Sequence, residues 1–306
     1  MNGTNEFDVV TGAFSYTGKY VTRRLLNAGR RVRTLTGHPE RAIMFGGQVG
    51  IAPLNFGDRA NLVRSLRGAS VLYNSYWVRF SHGRATFDEA VANSRALIHA
   101  AKEAGVRRIV HLSIANPSID AHLPYYSGKA HVERAIVDSG LSYTILRPTV
   151  IFGVEDILIN NIAWFTRHFP FFAIPGSGQY QIQPIFVEDI ADLAVSAARG
   201  KGNLVLDAVG PEIFTFEDLV RLIATGVRSK ARLIHVRPWV ALRILRFINP
   251  IVGDVILTRE EIEGLMANLL VSKQSPTGQT RFTEWLAQNS SILGTTYASE
   301  LARHYR

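Results

Sequence analysis

Cysteine is absent from all 306 residues. That excludes disulfides, thiolate metal ligands and a cysteine nucleophile, and it fits a reducing compartment. Nine histidines are present, yet none stands in a zinc spacing such as His-Glu-x-x-His, so no metal site is expected. No run approaches the roughly 18 uninterrupted apolar residues of a membrane span, and residues 1–8 lack a basic stretch followed by an apolar core. The chain therefore reads as cytoplasmic. Blocks of consecutive positive charge are also missing, although the net charge is +9. Scattered Arg and Lys of this kind read as solvated surface, and nucleic acid is not an expected partner.

What is present is apolar material, 47% of the residues, enough for one large domain or a large domain with a smaller cap. From Phe7 onward short β-branched runs alternate with longer helical stretches, the pattern of parallel strands joined by crossover helices. Strands are expected at a run ending in Val9 and Val10, then at 31–35, 50–54, 70–73, 108–112 and 143–146. Helices are expected at 20–28, closed by Gly29, and at 91–104, closed by Gly105. These six strands predict an α/β doubly wound parallel sheet, a Rossmann core over residues 1–153. Residues 154–306 are expected to supply the remaining sheet elements and a smaller, mainly helical C-terminal cap, interleaved with the core as one unit. There, 169–178 reads as a turn-rich aromatic loop, 187–199 and 215–224 as amphipathic helices, and 204–207 as one more strand. A short strand at 231–238 leads into 239–270, two or three cap helices broken by Asn249, Pro250 and Gly253. Trp285, Tyr297 and His304 in the tail read as packing aromatics and helix residues without chemistry.

Between the first strand and helix lies Thr11-Gly12-Ala13-Phe14-Ser15-Tyr16-Thr17-Gly18. A dinucleotide pyrophosphate needs glycine where the chain turns sharply, backbone amides at a helix N-terminus, and no bulk where helix meets strand. Gly12 and Gly18 fill the first and last roles, with Phe14, Ser15, Tyr16 and Thr17 completing the cradle. Ser15 stands where a middle glycine is usual; its Cβ narrows the approach and its hydroxyl is a candidate donor to a phosphate oxygen. The second strand ends in Thr36-Gly37-His38 with no acid before Glu40. A carboxylate there would hold the ribose 2′-hydroxyl of NAD, whereas Arg attracts a 2′-phosphate. Arg41, with Arg33 inside the strand, thus favours NADP(H) over NAD(H), though an isolated arginine also reads as solvated surface.

After the fifth strand comes Tyr125-x-x-x-Lys129, which on a helix puts both side chains on one face. A nearby ammonium favours the phenolate, making tyrosine an acid or base at neutral pH. Ser113, ending that strand, would orient a substrate oxygen beside Tyr125. The plainer reading is a packed tyrosine beside an exposed lysine, and Tyr126 is the alternative phenol at a spacing of three.

Together with Arg147-Pro148-Thr149-Val150-Ile151-Phe152-Gly153 and Pro184-Ile185-Phe186-Val187-Glu188-Asp189-Ile190-Ala191, these motifs resemble the short-chain dehydrogenase/reductase superfamily. The resemblance covers residues 7 to 200 and is closest to extended and atypical members, NmrA-like and complex I 39-kDa-subunit-like. It implies that Asn55 and Phe56 lie by the adenine, Asn55 where an Asp is usual, and that Asn74 and Ser75 follow the fourth strand near the cofactor. It further implies that Pro148, Thr149, Val150 and Ile151 pass the nicotinamide, that Lys129 bonds its ribose, and that Asn93 is structural. The activity implied is hydride transfer to or from a carbonyl or alcohol carbon. A sugar-nucleotide epimerase or dehydratase, and a non-catalytic NAD(P)H-binding redox sensor or accessory subunit, stay open. The substrate is expected to be a small and apolar molecule, held by the 169–175 loop, Tyr76, Trp77 and the cap. A membrane-surface contact through 238–249 competes with plain cap packing, in which Ala241, Leu242, Leu245 and Ile248 form a core-facing stripe.

Overall fold

The computed structural model describes residues 6–304, so residues 1–5 of the N-terminal stretch and the side chain of His304 lie outside the described residues. Along the chain run β1 (Phe7–Thr11), α1 (Tyr16–Asn27), β2 (Val32–Thr36), a 3-10 turn (Pro39–Phe45), β3 (Val49–Pro53), α2 (Arg59–Leu66) and β4 (Ala69–Asn74). They are followed by α3 (Phe87–Glu103), β5 (Arg108–Leu112), α4 (Pro124–Asp138), β6 (Ser142–Pro148), β7 (Val150–Phe152), α5 (Leu158–His168) and β8 (Phe171–Pro175). Next are β9 (Gln181–Ile182), β10 (Pro184–Phe186), α6 (Val187–Ala197), β11 (Leu204–Ala208), β12 (Phe214–Thr215), α7 (Phe216–Gly226) and β13 (Arg232–Val236). The chain closes with α8 (Pro238–Val252), α9 (Arg259–Met266), α10 (Phe282–Asn289) and α11 (Glu300–His304). Two compact units result: the chain up to Pro148 with Val187–Ala208, and Thr149–Phe186 with everything from Val209 on.

In the first unit seven strands lie in the order β11-β6-β5-β4-β1-β2-β3, every neighbouring pair parallel. This is the doubly wound order, with β11 added as the strand expected at 204–207. A parallel sheet with helices on both faces buries its strands on both sides, which is why β5 is buried at all five positions. Val9, Leu35, Leu72, Ile109 and Ile145 from the strands meet Leu62, Leu66, Leu97, Val132 and Ile136 from α2, α3 and α4 in one core. Arg108 is buried at the start of β5 with both terminal guanidinium nitrogens engaged, while its Nε has no hydrogen-bond partner among the described residues. It donates to the Ser142 and Thr144 hydroxyls and to the carbonyls of Tyr143, Gly200 and Gly202. Order reverses between β1 and β4, and ligands of such sheets bind beyond the strand C-termini at that switch point.

The second unit packs α5, α7 and α10 around Phe152, Ile162, Ile174, Phe216, Leu219, Ile223, Phe282 and Trp285. Its strands form two-residue to five-residue pairs, β7 with β10, β8 with β13 and β9 with β12. Part of the expected aromatic loop at 169–178 is a strand instead: β8 pairs with β13 residue for residue from Phe171 to Pro175. The expected break at Asn249 and Pro250 is also absent, since α8 runs to Val252. Proline removes one N–H bond, and Pro250 sits within the final turn, where that loss is small. Trp285 is core, and Tyr297 donates to Asp254 Oδ2 at 3.0 Å, as befits packing residues. Among the described residues no helix is long and apolar enough to cross a membrane.

Candidate functional site

The turn after β1 rests on β2: Gly12 N–H donates to the Leu35 carbonyl (3.0 Å) and Ala13 N–H to Thr34 Oγ1 (3.1 Å). Gly12 has φ +65°, a left-handed conformation that a side chain would strain. A Cβ on Gly18 would stand 2.1 Å from the Gly12 carbonyl oxygen, so only glycine lets the first turn of α1 press onto the β1 turn. Helix α1 starts at Tyr16, four residues before the periodicity places it, because its N-terminus is built from turn residues rather than apolar ones. No side chain caps it, and its first-turn amides, of residues 16–18, face outward from the helix end. A cradle that a Cβ would fill, opened at a helix N-terminus, fits a pyrophosphate. Ser15 plays another part than expected. Its N–H (2.8 Å) and its hydroxyl (2.6 Å) both donate to the Gly12 carbonyl, so the one hydroxyl proton fastens the turn and is not offered to a phosphate.

Strands β1 and β4 are tied together at the switch point. Ser75 donates through N–H to Thr11 Oγ1 (2.8 Å) and through Oγ to the Thr11 carbonyl (2.7 Å). Asn74 Oδ1 accepts from Thr11 Oγ1 (3.2 Å) and from Tyr76 N–H (3.1 Å), and its Nδ2 donates to His111 Nδ1 (3.2 Å). Asn74 and Ser75 therefore frame the crevice with their side chains. An amide donor at Nδ1 fixes His111 as the neutral Nε2–H tautomer, and burial, with Lys129 nearby, holds it well below the usual imidazole range. Asn93 donates to the Tyr76 hydroxyl at 3.0 Å, the structural part expected of it.

Beyond β2, Thr36 Oγ1 accepts from His38 N–H (2.9 Å), and Gly37 is exposed. The first acid after the strand in sequence is Glu40, which is exposed and engages His38 Nδ1 at 3.2 Å and Arg41 Nε at 3.8 Å. Arg33 is not near this end as a ligand for phosphate. It donates to the Ser65 carbonyl (2.7 Å) and lies 4.2 Å from the Phe7 ring, on the α2 side of the sheet. Asn55 is exposed and closes its own turn, Oδ1 accepting from Gly57 N–H at 3.0 Å. Phe56 packs at a tilt against Tyr76 with ring centres 4.7 Å apart, and Phe14 is buried against Phe45 at 6.1 Å.

Tyr125 and Lys129 lie one turn apart on α4, and Lys129 reaches the C-terminal end of β5, which Ser113 directly follows. Lys129 is buried, its Nζ donating to the Leu112 carbonyl (2.8 Å) and lying 4.7 Å from the Trp77 ring centre. Burial pushes its ammonium down to about 7, while the Glu133 carboxylate opposes the fall. Next in sequence to Leu112, Ser113 is buried with its N–H on the Leu146 carbonyl (2.7 Å) and no hydrogen-bond partner for Oγ. A buried orphan hydroxyl is costly, and a substrate oxygen would satisfy it. Tyr125, half-buried one turn before Lys129, packs edge-on against Trp77 (5.9 Å) and Phe87 (5.8 Å). Trp77 comes this close because position 128 is glycine: a Cβ there would be 3.0 Å from the indole. The Arg147–Glu133 pair (2.6 Å) binds α4 to β6, and the Pro148 carbonyl accepts from Ala115 N–H (2.8 Å). Thr149, Val150 and Ile151 belong to the second unit, where the Thr149 hydroxyl donates to the Gln183 carbonyl. Trp77, expected in the substrate pocket, is also the ring face under the Lys129 ammonium, a role its sequence position does not announce. The only signal for that was Gly128 inside an otherwise helical pattern.

The depressed Lys129 predicts a stability effect with a definite sign. Its cation is carried by the unfolded chain up to about pH 10.5 but by the folded chain only up to about 7. The penalty is full below pH 7 and disappears as pH rises through that window, where the unfolded state binds more protons. Lys129→Met should therefore raise stability by about 1–3 kcal/mol at pH 6, after loss of the Leu112 bond, and by little at pH 10. Denaturant melts at the two pH values check this; an equal gain at both would put the effect in packing.

Residues 12–156 match the NAD(P)H-binding family. Mitochondrial NADH dehydrogenase (ubiquinone) 1 alpha subcomplex subunit 9 of Arabidopsis thaliana is 25% identical over 235 residues, 73% of this chain and 58% of that protein. The corresponding Dictyostelium discoideum protein is covered to 65%, so the chain spans less than two thirds of these relatives. The (4-alkanoyl-5-oxo-2,5-dihydrofuran-3-yl)methyl phosphate reductase of Streptomyces griseus is 27% identical over 295 residues, 92% of this chain and 97% of that one. In fold the chain is similar to an Escherichia coli NADPH-dependent quinone oxidoreductase complexed with NADPH, with TM-score 0.75 at 20% identity, covering 92% and 99% of the two chains. The glycine cradle, the switch-point frame and these likenesses together identify residues 12–156 as an NAD(P)-binding domain.

Proposed function

We propose that the protein is an NADPH-dependent reductase of an apolar carbonyl compound. The observation that carries the reading is the buried Ser113 hydroxyl, without a hydrogen-bond partner among the described residues, next in sequence to the Leu112 carbonyl that the buried Lys129 ammonium binds, with Tyr125 one helical turn from Lys129. The turn from Gly12 to Gly18 would hold the pyrophosphate, Arg41 the 2′-phosphate and Lys129 the nicotinamide ribose. When bound, the nicotinamide supplies hydride to the carbonyl carbon. Tyr125 gives its phenolic proton to the carbonyl oxygen and regains one from solvent, while Ser113 Oγ donates a hydrogen bond to the charge developing on that oxygen. Lys129, while charged, favours the phenolate that Tyr125 becomes.

NADPH is preferred in this reading because no acid follows β2 in sequence before Glu40, and Arg41 comes next. The aromatic cluster of Trp77, Phe87 and Tyr125 supports an apolar substrate. Resemblance to the Streptomyces griseus reductase supports the reaction class. The complex I subunits among the relatives support a second reading, a dinucleotide-binding accessory protein with protein partners. Absorbance of NADPH followed with a panel of quinones, furanones and aryl ketones separates them. The first reading expects saturable, carbonyl-dependent oxidation of NADPH; binding without any turnover would favour the second.

A further inference from the structure

Helix α8 is apolar without being buried. Of its fifteen residues only Ala241 is fully covered, and Leu242, Leu245 and Ile248 of the expected core-facing stripe are half-covered. At 100° per residue, Trp239, Arg243, Arg246 and Phe247 fall on the opposite side, with Ile251 at its edge. Trp239, Phe247 and Ile251 are 51%, 77% and 81% exposed. Large apolar side chains clustered on the outside of a helix call for a partner, unlike single ones scattered over a surface.

The composition of this face selects the partner. Helix α8 contains no Asp or Glu, and neither do β8, against which it packs, nor β13, which pairs with β8. Arg243 places its guanidinium 5.0 Å from the Trp239 ring centre, and Arg246 is exposed beside Phe247. Phe171 of β8 and Ile234 of β13 add exposed apolar surface nearby. Tryptophan and phenylalanine next to long cationic stems suit a water–lipid boundary, where rings enter the acyl edge and guanidinium groups reach phosphates. A chain of net charge +9 is drawn to such a surface when it is anionic.

We propose that the exposed side of α8 is a membrane-docking face, lying in the headgroup layer of an anionic bilayer. Full-length protein should sediment with phosphatidylcholine vesicles containing about 30% phosphatidylglycerol and stay in solution with phosphatidylcholine alone. Arg243→Gln with Arg246→Gln should weaken binding by roughly twenty-five-fold, at about fivefold per charge. Phe247→Ser with Ile251→Ser should weaken it by at least roughly tenfold, since both side chains lose the acyl edge. Brominated acyl chains should quench tryptophan fluorescence, and Trp239→Phe should remove that quenching. These positions are exposed, so the variants should melt like the parent. Failure to bind anionic vesicles at low salt, or binding that neither double variant weakens, would overturn the proposal. So would a lipid-free dimer that Phe247→Ser with Ile251→Ser dissociates, because the face would then be a contact between two copies of the chain.

Discussion

Tyr125→Phe should lower NADPH-dependent carbonyl reduction by about 10²–10⁴-fold while leaving NADPH affinity within a few fold. The substitution removes one oxygen and keeps the ring, so the edge-on contacts with Trp77 and Phe87 remain and α4 is not disturbed. Lys129 still reaches the Leu112 carbonyl, and the turn at Gly12 is untouched. In the proposed reaction the variant lacks the proton donor to the substrate oxygen, so the loss should fall on kcat and not on binding. Stopped-flow absorbance at saturating NADPH gives kcat, and fluorescence titration gives affinity. Full activity in Tyr125→Phe together with loss in Tyr126→Phe would move the role to the neighbouring phenol, buried and three residues from Lys129.

Gly18→Ala should abolish NADPH binding and destabilise the first unit by about 2–4 kcal/mol. The added methyl would meet the Gly12 carbonyl oxygen at 2.1 Å and the Ser15 hydroxyl at 3.1 Å, both parts of the turn itself. Backbone cannot step aside as a flexible side chain can, so α1 must lift away from β1, and its first-turn amides move with it. Gly37→Ala is the matched control, since a Cβ there has nothing within 4 Å. Fold and melting should be unchanged in that variant. Equal losses in both would show that glycine content, not the close approach at position 18, sets the stability.

The inner strands were legible because parallel sheets bury both faces and their β-branched runs have nowhere else to go; β1 and β5 stand where patterning puts them, and so does the half-exposed edge strand β11. The start of α1 was obscured because Tyr16, Thr17 and Gly18 serve the turn and leave no apolar period to read. Strand β8 was hidden by its Pro and Gly neighbours, and only its long-range pairing with β13 makes it a strand. In the site, Gly12 and Gly18 could be read because their roles are steric and local. The partners of the Ser15 hydroxyl and the Arg33 guanidinium could not be read because a side chain's hydrogen-bond partner is a tertiary fact: Ser15 Oγ donates to the Gly12 carbonyl, and Arg33 lies against the Phe7 ring. The burial of Lys129 beneath Trp77 depends on an indole fifty-two positions away in sequence, beyond the reach of helical spacing.

In the proposed reading the Gly12–Gly18 turn, with Arg41 beyond β2 and no acid before Glu40, makes an NADPH site. Titration of the purified protein with NADPH and with NADH, followed by nicotinamide fluorescence, tests it most directly. NADPH should saturate and bind at least about tenfold more tightly than NADH, the margin expected of a 2′-phosphate held by one arginine. No saturable binding of either cofactor, or tighter binding of NADH, would contradict it.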